Sequence, residues 1–297
     1  VRETAGYLAY RIFDAVFGLL PEAAMRRGGE ALGTIAYYLA GRRRRLVRRH
    51  LERVLGKDDP ALRSTARRMF ASYGRYWAEV FWVRARRKQQ FLDHGDLVGQ
   101  EHVEAAAAAG RGIVLALPHL GNWEAAGAKA EQIGIPVLAV AERLPNRRIV
   151  DWFVKVRNQM GIEVVLTGKG SRVTRELVAR LEAGGTVALV ADRDLTGRGI
   201  EVEYFGERTT IPAGPVALAE RTGAALIPVG AYFKEGRGHR FVVRPPLAIP
   251  DAATREERVA LGAQRCAEVF EDIIRVAPHQ WHLFVPNWPS DREEAAE

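Results

Sequence analysis

Apolar positions recur every three or four residues through the first ninety positions of this 297-residue chain, then give way to short unbroken apolar runs separated by helical stretches. From Val1 to about Gln90 the spacing predicts helices throughout, with breaks at Pro21, Gly28-Gly29, Gly56 and Asp58-Asp59-Pro60. Residues 66–83 place Met69, Phe70, Tyr73, Tyr76, Trp77, Val80 and Phe81 at spacings of three and four, the pattern of an aromatic amphipathic helix that covers the rest of the fold. Tyr7, Tyr10, Phe13, Phe17 and Leu20 share one face of the first helix, which suits a core and a membrane surface equally.

Beyond Phe91 the runs 112–117, 136–140, 163–166, 186–190, 225–229 and 241–243 read as strands, with helices at 124–133, 149–160, 173–183, 215–222 and 252–275. Alternation of this kind predicts an α/β fold, a mainly parallel sheet flanked by helices with a helical N-terminal part. No repeat, linker or break in composition divides it. The economical reading is one domain over 1–297, with 1–90 as a basic helical part and 91–297 as the α/β part. Ligands bind such sheets outside the carboxyl ends of the strands. His119, Glu142, Asp192 and Arg193 each follow a predicted strand and should gather along that edge.

His119 carries the most suggestive chemistry. It ends an apolar strand and precedes Glu124 by five positions, where an Ala-rich helix begins. An imidazole titrates near neutrality, so it takes a proton from an alcohol, while Glu124 is placed to hold the other ring nitrogen and stabilise the cation formed. That is the chemistry of acyl transfer to a hydroxyl. A histidine at a strand-to-helix turn also serves simply to satisfy loose backbone groups, and the spacing alone does not separate the two readings. Neither a nucleophile-elbow serine nor a reactive cysteine is evident. The single cysteine, Cys266, lies in a helical run and reads as a small buried side chain. Seven scattered histidines form no cluster with ligand spacing, so no metal and no cofactor are expected. His282, within Gln280 to Trp288, reads as a hydrogen-bonding member of an aromatic cluster.

Charge is uneven. Residues 1–90 hold 20 Lys and Arg against 8 Asp and Glu, whereas residues 91–297 hold 24 against 28. The run from Arg42 to His50, with Leu46, Val47, Leu51, Val54 and Leu55 at helical spacing, predicts a basic amphipathic helix suited to an anionic membrane surface, or else a solvated face on a docked helix. With no zinc-finger, ribonucleoprotein or helix-turn-helix signature, no nucleic acid partner is expected. The apolar stretch 7–20 is interrupted by Arg11 and Asp14 and is shorter than the ~20 residues needed to span a bilayer. It also lacks the small-residue cleavage pattern of a signal peptide.

Three segments together resemble the bacterial lipid A biosynthesis (lauroyl/myristoyl) acyltransferase family: Leu115 to Glu124, Val190 to Thr196, and Phe205-Gly206 with Ile211 to Val229. Within it they look closest to the actinobacterial phosphatidylinositol mannoside acyltransferases. The similarity runs over most of 35–290, including Val47 to Val54 and Ser72 to Trp77. The resemblance implies a glycerolipid-acyltransferase-like fold and a peripheral enzyme on the cytoplasmic face of the inner membrane. It implies transfer of a fatty acyl chain from acyl-CoA to a mannose hydroxyl of a glycolipid acceptor. His119 and Glu124 match the family's HX4D/E signature, with glutamate where aspartate is usual. Glu142, Arg157 and Asp192 match polar positions of the acceptor site, and Arg193 is a further candidate for holding substrate. The lipid A branch uses acyl carrier protein as donor, and the Trp281-His282 ending and Ala141 to Leu144 look more like the mannoside branch. A non-catalytic lipid-binding protein of the same fold is the alternative of another class.

Overall fold

The computed structural model describes residues 2–84, 87–167, 172–194 and 197–293. Four helices come first: α1 (Arg2–Leu19), α2 (Glu22–Leu39), α3 (Gly41–Leu55) and α4 (Leu62–Trp82). The expected break at Gly28-Gly29 does not occur, and α2 runs through it. These glycines serve packing instead. A side chain at Gly33 would lie 2.1 Å from the carbonyl oxygen of Phe70, and one at Gly74 would lie 2.1 Å from that of Gly29. Helices α2 and α4 therefore meet backbone to backbone. On α4 the aromatic stripe is buried as the spacing predicts, with Met69, Phe70, Tyr76, Val80 and Phe81 facing inward.

The remainder alternates: α5 (Lys88–Leu92), β1 (Asp96–Val98), α6 (Gln100–Ala108), β2 (Ile113–Leu117), α7 (Trp123–Gln132), β3 (Val137–Ala141), α8 (Arg147–Gln159), β4 (Glu163–Leu166), α9 (Arg172–Glu182) and β5 (Thr186–Val190). A hairpin follows, β6 (Ile200–Tyr204) and β7 (Glu207–Ile211), then α10 (Gly214–Thr222), β8 (Ala225–Phe233), β9 (His239–Val243), α11 (Arg255–Val276), a 3-10 turn (Pro278–Gln280) and α12 (Pro289–Glu293). Seven strands form one sheet in the order β1-β9-β8-β2-β5-β3-β4. β8, β2, β5, β3 and β4 are parallel, whereas β9 pairs antiparallel with β8 and carries β1 alongside. The fold is thus mixed α/β with a mostly parallel sheet, as the alternation predicts.

β2 is buried on both faces because helices cover both. Val114 and Ala116 join a core with residues of α9, α10 and α11, while Ile113, Leu115 and Leu117 join one that includes Phe81, Trp82, Ala125 and Ala128 from α4 and α7. The basic helix α3 docks through Val47, Leu51 and His50. The two ring nitrogens of His50 lie 3.1 Å from the Leu283 carbonyl and 2.9 Å from an Asp291 oxygen, tying α3 to the C-terminal segment. Arg42, Arg43, Arg45 and Arg48 stay exposed on its outer side.

Candidate active site

The register of the two central strands assembles the site. Leu117 on β2 is the partner of Val190 on β5, so the residues two positions further on, His119 and Asp192, come level with each other beyond the sheet edge. His119 Nδ1 lies 2.5 Å from Asp192 Oδ1. An ionised carboxylate only accepts, so Nδ1 carries the proton and donates it, which leaves the Nε2 lone pair free. Asp192 is fully buried, and its second oxygen accepts from the indole N–H of Trp281 at 2.8 Å. Burial alone would raise its carboxyl. The neighbouring His119, with hydrogen bonds from His119 and Trp281, outweighs that and holds the group below the ordinary range.

This corrects two expectations. The partner holding His119 is Asp192, not Glu124, because strand pairing brings Asp192 level with the ring while the first turn of α7 carries Glu124 to another set of partners. And Asp192 does not line the groove: it is fully buried, with one oxygen on His119 and the other on Trp281. Glu124 instead receives three contacts from Arg157, at 3.1 and 3.0 Å from Nε and 2.7 Å from one terminal nitrogen, and a long one of 3.5 Å from the Tyr76 hydroxyl.

The turn between His119 and α7 is held from several sides. Gly121 has φ +56°, and a side chain there would lie 2.1 Å from the Ala231 carbonyl oxygen, so only glycine fits. Asn122 caps α7 by accepting from the Ala125 N–H, and donates from its amide nitrogen to the buried Glu79. Glu79 also takes hydrogen bonds from Arg75 and His239.

Two cavities share a wall at Trp123, whose ring lies 5.3 Å from that of His119. One is a broad groove of about 810 Å³, lined by His119, Trp123, Glu142, Arg143, Arg157, Arg193 and His282 together with Tyr10, Tyr73, Tyr76 and Trp77 from the N-terminal helices. The other is a narrow apolar slot of about 100 Å³ between α7 and the sheet. Its lining includes Ala126, Ala130, Ala139, Ala188, Ile162 and Phe241, with Glu124 its one acidic residue. Trp123, Val140, Arg157 and Val190 line both spaces. Of the residues singled out in the sequence, His119, Glu142, Arg157 and Arg193 share the groove, Asp192 stands behind His119, and Glu124 stands at the slot. Leu195 and Thr196 of the Val190 to Thr196 motif lie outside the described residues. Glu142 is exposed on the groove wall and has no ion-pair partner among the described residues, Arg157 being paired with Glu124. Arg193 has a buried Nε without a hydrogen-bond partner among the described residues.

His282 is the aromatic-cluster member expected. It packs against the rings of Tyr73, Tyr76, Trp123 and Phe233 and pairs with Ser72 at 2.9 Å. Burial, and then the neighbouring His119, push its imidazole down to about 3, so it is neutral at physiological pH. Cys266 is buried, and burial raises its thiol to about 12, leaving no reactive thiolate. Among the described residues no group of His, Cys, Asp and Glu is arranged to hold a metal ion.

The sequence profile described as bacterial lipid A biosynthesis acyltransferase matches residues 2–290. The chain belongs to this acyltransferase family. A phosphatidylinositol mannoside acyltransferase of Mycobacterium tuberculosis is 39% identical over 98% of this chain and 89% of its own length. One of Mycolicibacterium smegmatis is 40% identical over 82% of this chain and 79% of its own. The lipid A biosynthesis lauroyltransferase of Escherichia coli is more distant, 26% identical over 88% and 84%. The protein is therefore an enzyme of the acyltransferase kind.

Proposed function

We propose that this acyltransferase moves a fatty acyl chain from acyl-CoA to a mannose hydroxyl of phosphatidylinositol mannoside, with His119 as general base. The observation that supports the reading is the position of His119 in the groove, its ring 5.3 Å from that of Trp123, which lines both groove and slot, with one ring nitrogen fixed by Asp192 and the other without a partner among the described residues. The relatives named phosphatidylinositol mannoside acyltransferase support this acceptor class.

In this mechanism the sugar hydroxyl lies in the groove and donates to His119 Nε2. As its oxygen attacks the thioester carbonyl, the proton passes to the imidazole and Asp192 stabilises the imidazolium. The tetrahedral intermediate then collapses. The carbon–sulfur bond breaks, the sulfur leaves as a thiol after taking the proton back from His119, and the ester remains on the sugar. No covalent enzyme intermediate is required. Arg157, its guanidinium fixed by Glu124, and Glu142 bind hydroxyls of the acceptor, and Arg193, which lines the same groove, binds substrate oxygen. The acyl chain lies in the slot, where each buried methylene is worth about 0.8 kcal/mol.

The acceptor is a lipid, so the groove must open at a membrane. Tyr10 of α1 lines the groove, while Leu8, Ile12, Phe13, Val16 and Leu19 of the same helix and Leu32, Ile35, Tyr38 and Leu39 of α2 are exposed. These side chains and the outer arginines of α3 support peripheral attachment to an anionic cytoplasmic membrane face. No described helix is long and apolar enough to cross a bilayer.

Mass spectrometry of the products formed from acyl-CoA and mannosylated phosphatidylinositol tests the proposal. The expected product carries one added acyl group on a mannose. Acylation confined to a lipid A precursor, with acyl carrier protein as donor, would replace this reading with that of the lipid A branch.

A further inference from the structure

The segment that follows α11 is bound to both members of the His119–Asp192 pair. The amide of His282 donates to the His119 carbonyl at 2.7 Å, the Gln280 carbonyl accepts from the Gly121 amide at 2.9 Å, and Trp281 forms an antiparallel bridge with Leu120. The side chain of Trp281 turns the other way, toward Asp192, and is completely buried. Its ring is wedged among Phe205, Trp288 and His50, with centroids 5.5, 6.2 and 6.0 Å away. The indole is thus a rigid arm. Its N–H reaches Asp192 Oδ2, the oxygen that His119 does not use.

We propose that Trp281 is a positioning residue for acyl transfer: its indole N–H fixes the plane of the Asp192 carboxylate, and Asp192 in turn fixes the tautomer and direction of His119. The inference rests on the assignment of His119 as base. A carboxylate tethered at one oxygen alone rotates about its last bond, and a buried oxygen left without a donor is costly. With both oxygens engaged, the acid is locked and its negative charge is divided between two donors. The same three-residue segment holds the backbone of the base and the side chain of the acid, so their separation does not depend on the sheet alone.

The test removes the hydrogen bond and keeps the shape. Replacing Trp281 by 3-benzothienylalanine exchanges the indole N–H for sulfur in a ring of the same outline, and Trp281→Phe is the companion variant. Thermal midpoint, kcat, KM for both substrates and the pH–rate profile are measured on the full chain. Loss of one hydrogen bond to a charged group predicts roughly a tenfold fall in kcat with both KM values within about twofold. A carboxylate that loses a donor holds the imidazolium more strongly, so the acid limb of the profile moves to higher pH, by roughly half a unit. The charged side chains of Glu142, Arg143, Arg157 and Arg193 share the groove with His119, and the titratable groups coupled to the pair itself are His282 and Tyr204. Burial drives the first down and the second well up, so both are neutral in that range and the limb reports the pair.

A benzothienyl variant with unchanged kcat and an unmoved limb overturns the proposal. So does a loss that appears only in the thermal midpoint and in KM, which would make Trp281 a packing residue. Asp192→Asn separates this failure from a deeper one. If it is crippled while the benzothienyl enzyme is unaffected, only the role of Trp281 falls; if it turns over at full rate, the assignment of the base falls too.

Discussion

Arg157 on α8 grips Glu124 on α7 through two nitrogens, at 2.7 to 3.1 Å, where the broad groove and the apolar slot share a wall. Both side chains are mostly buried. The pair therefore joins two helices and holds a guanidinium at the wall of the groove. Glu124→Ala leaves Arg157 with an uncompensated buried charge, which predicts a loss of about 3 kcal/mol in a urea unfolding experiment and a rise in the KM for the acceptor. Glu124→Gln, which keeps hydrogen bonds but not the charge, should lose less stability. Equal stability of wild type and Glu124→Ala would remove this role.

Glu79 links α4 to the turn after His119 by accepting from Asn122. Burial works against its charge, but His239 and Arg75 outweigh it and bring its carboxyl from 4.5 down to about 2. A depressed acid stabilises the folded state above its unfolded value and loses that contribution as pH falls through the folded one. The shift corresponds to about 3 kcal/mol at pH 7, with less than half left near pH 3. Denaturation of wild type and Glu79→Gln across this range should give a difference that shrinks with acid. A constant difference would contradict the linkage.

The slot is made narrow by helices and strands that meet over small side chains, Ala126 and Ala130 from α7 and Ala139 and Ala188 from the sheet. Ala139→Leu fills part of it. Competition between long and short acyl thioesters should then swing toward the short chain by roughly tenfold, the order expected for a few lost methylene contacts. Uniform loss of activity on all chain lengths would show that the acyl group lies elsewhere.

Ile12 and Leu19 are 61% and 81% exposed on α1, too open for stability to depend on them. Changing both to Glu should leave the thermal midpoint nearly unchanged and cut co-sedimentation with phosphatidylglycerol vesicles severalfold. Attraction through the arginines of α3 adds a salt-dependent part, so wild-type binding should weaken as sodium chloride is raised. Binding indifferent to both changes would disconnect these helices from the membrane.

Much of this arrangement was legible in the chain. Apolar runs gave β2, β3, β4 and β5 to within a residue, most plainly β2, which is buried on both faces and so needs continuous hydrophobicity. The β6–β7 hairpin went unread although Ile200 to Tyr204 alternates and Phe205-Gly206, both at positive φ, supplies its turn. The edge strand β1, three residues long, has too little pattern to see. The site divided in the same way. His119 stands out as polar chemistry after an apolar run, and Glu124 looked like its partner because it is near in sequence. Asp192 and Trp281 are 73 and 162 positions from His119, and only the neighbouring of β2 with β5 and the return of the chain after α11 bring them together. Strand order is a property of the packed sheet, and spacing along one chain does not encode it.

The central claim is that the imidazole of His119, oriented by Asp192, takes the proton of the acceptor hydroxyl. Its direct test is the turnover number of His119→Ala, with acylated mannoside quantified by mass spectrometry and the fold checked by circular dichroism. The account predicts a loss of at least several hundredfold in a protein that remains folded. Turnover within a few-fold of wild type would contradict it.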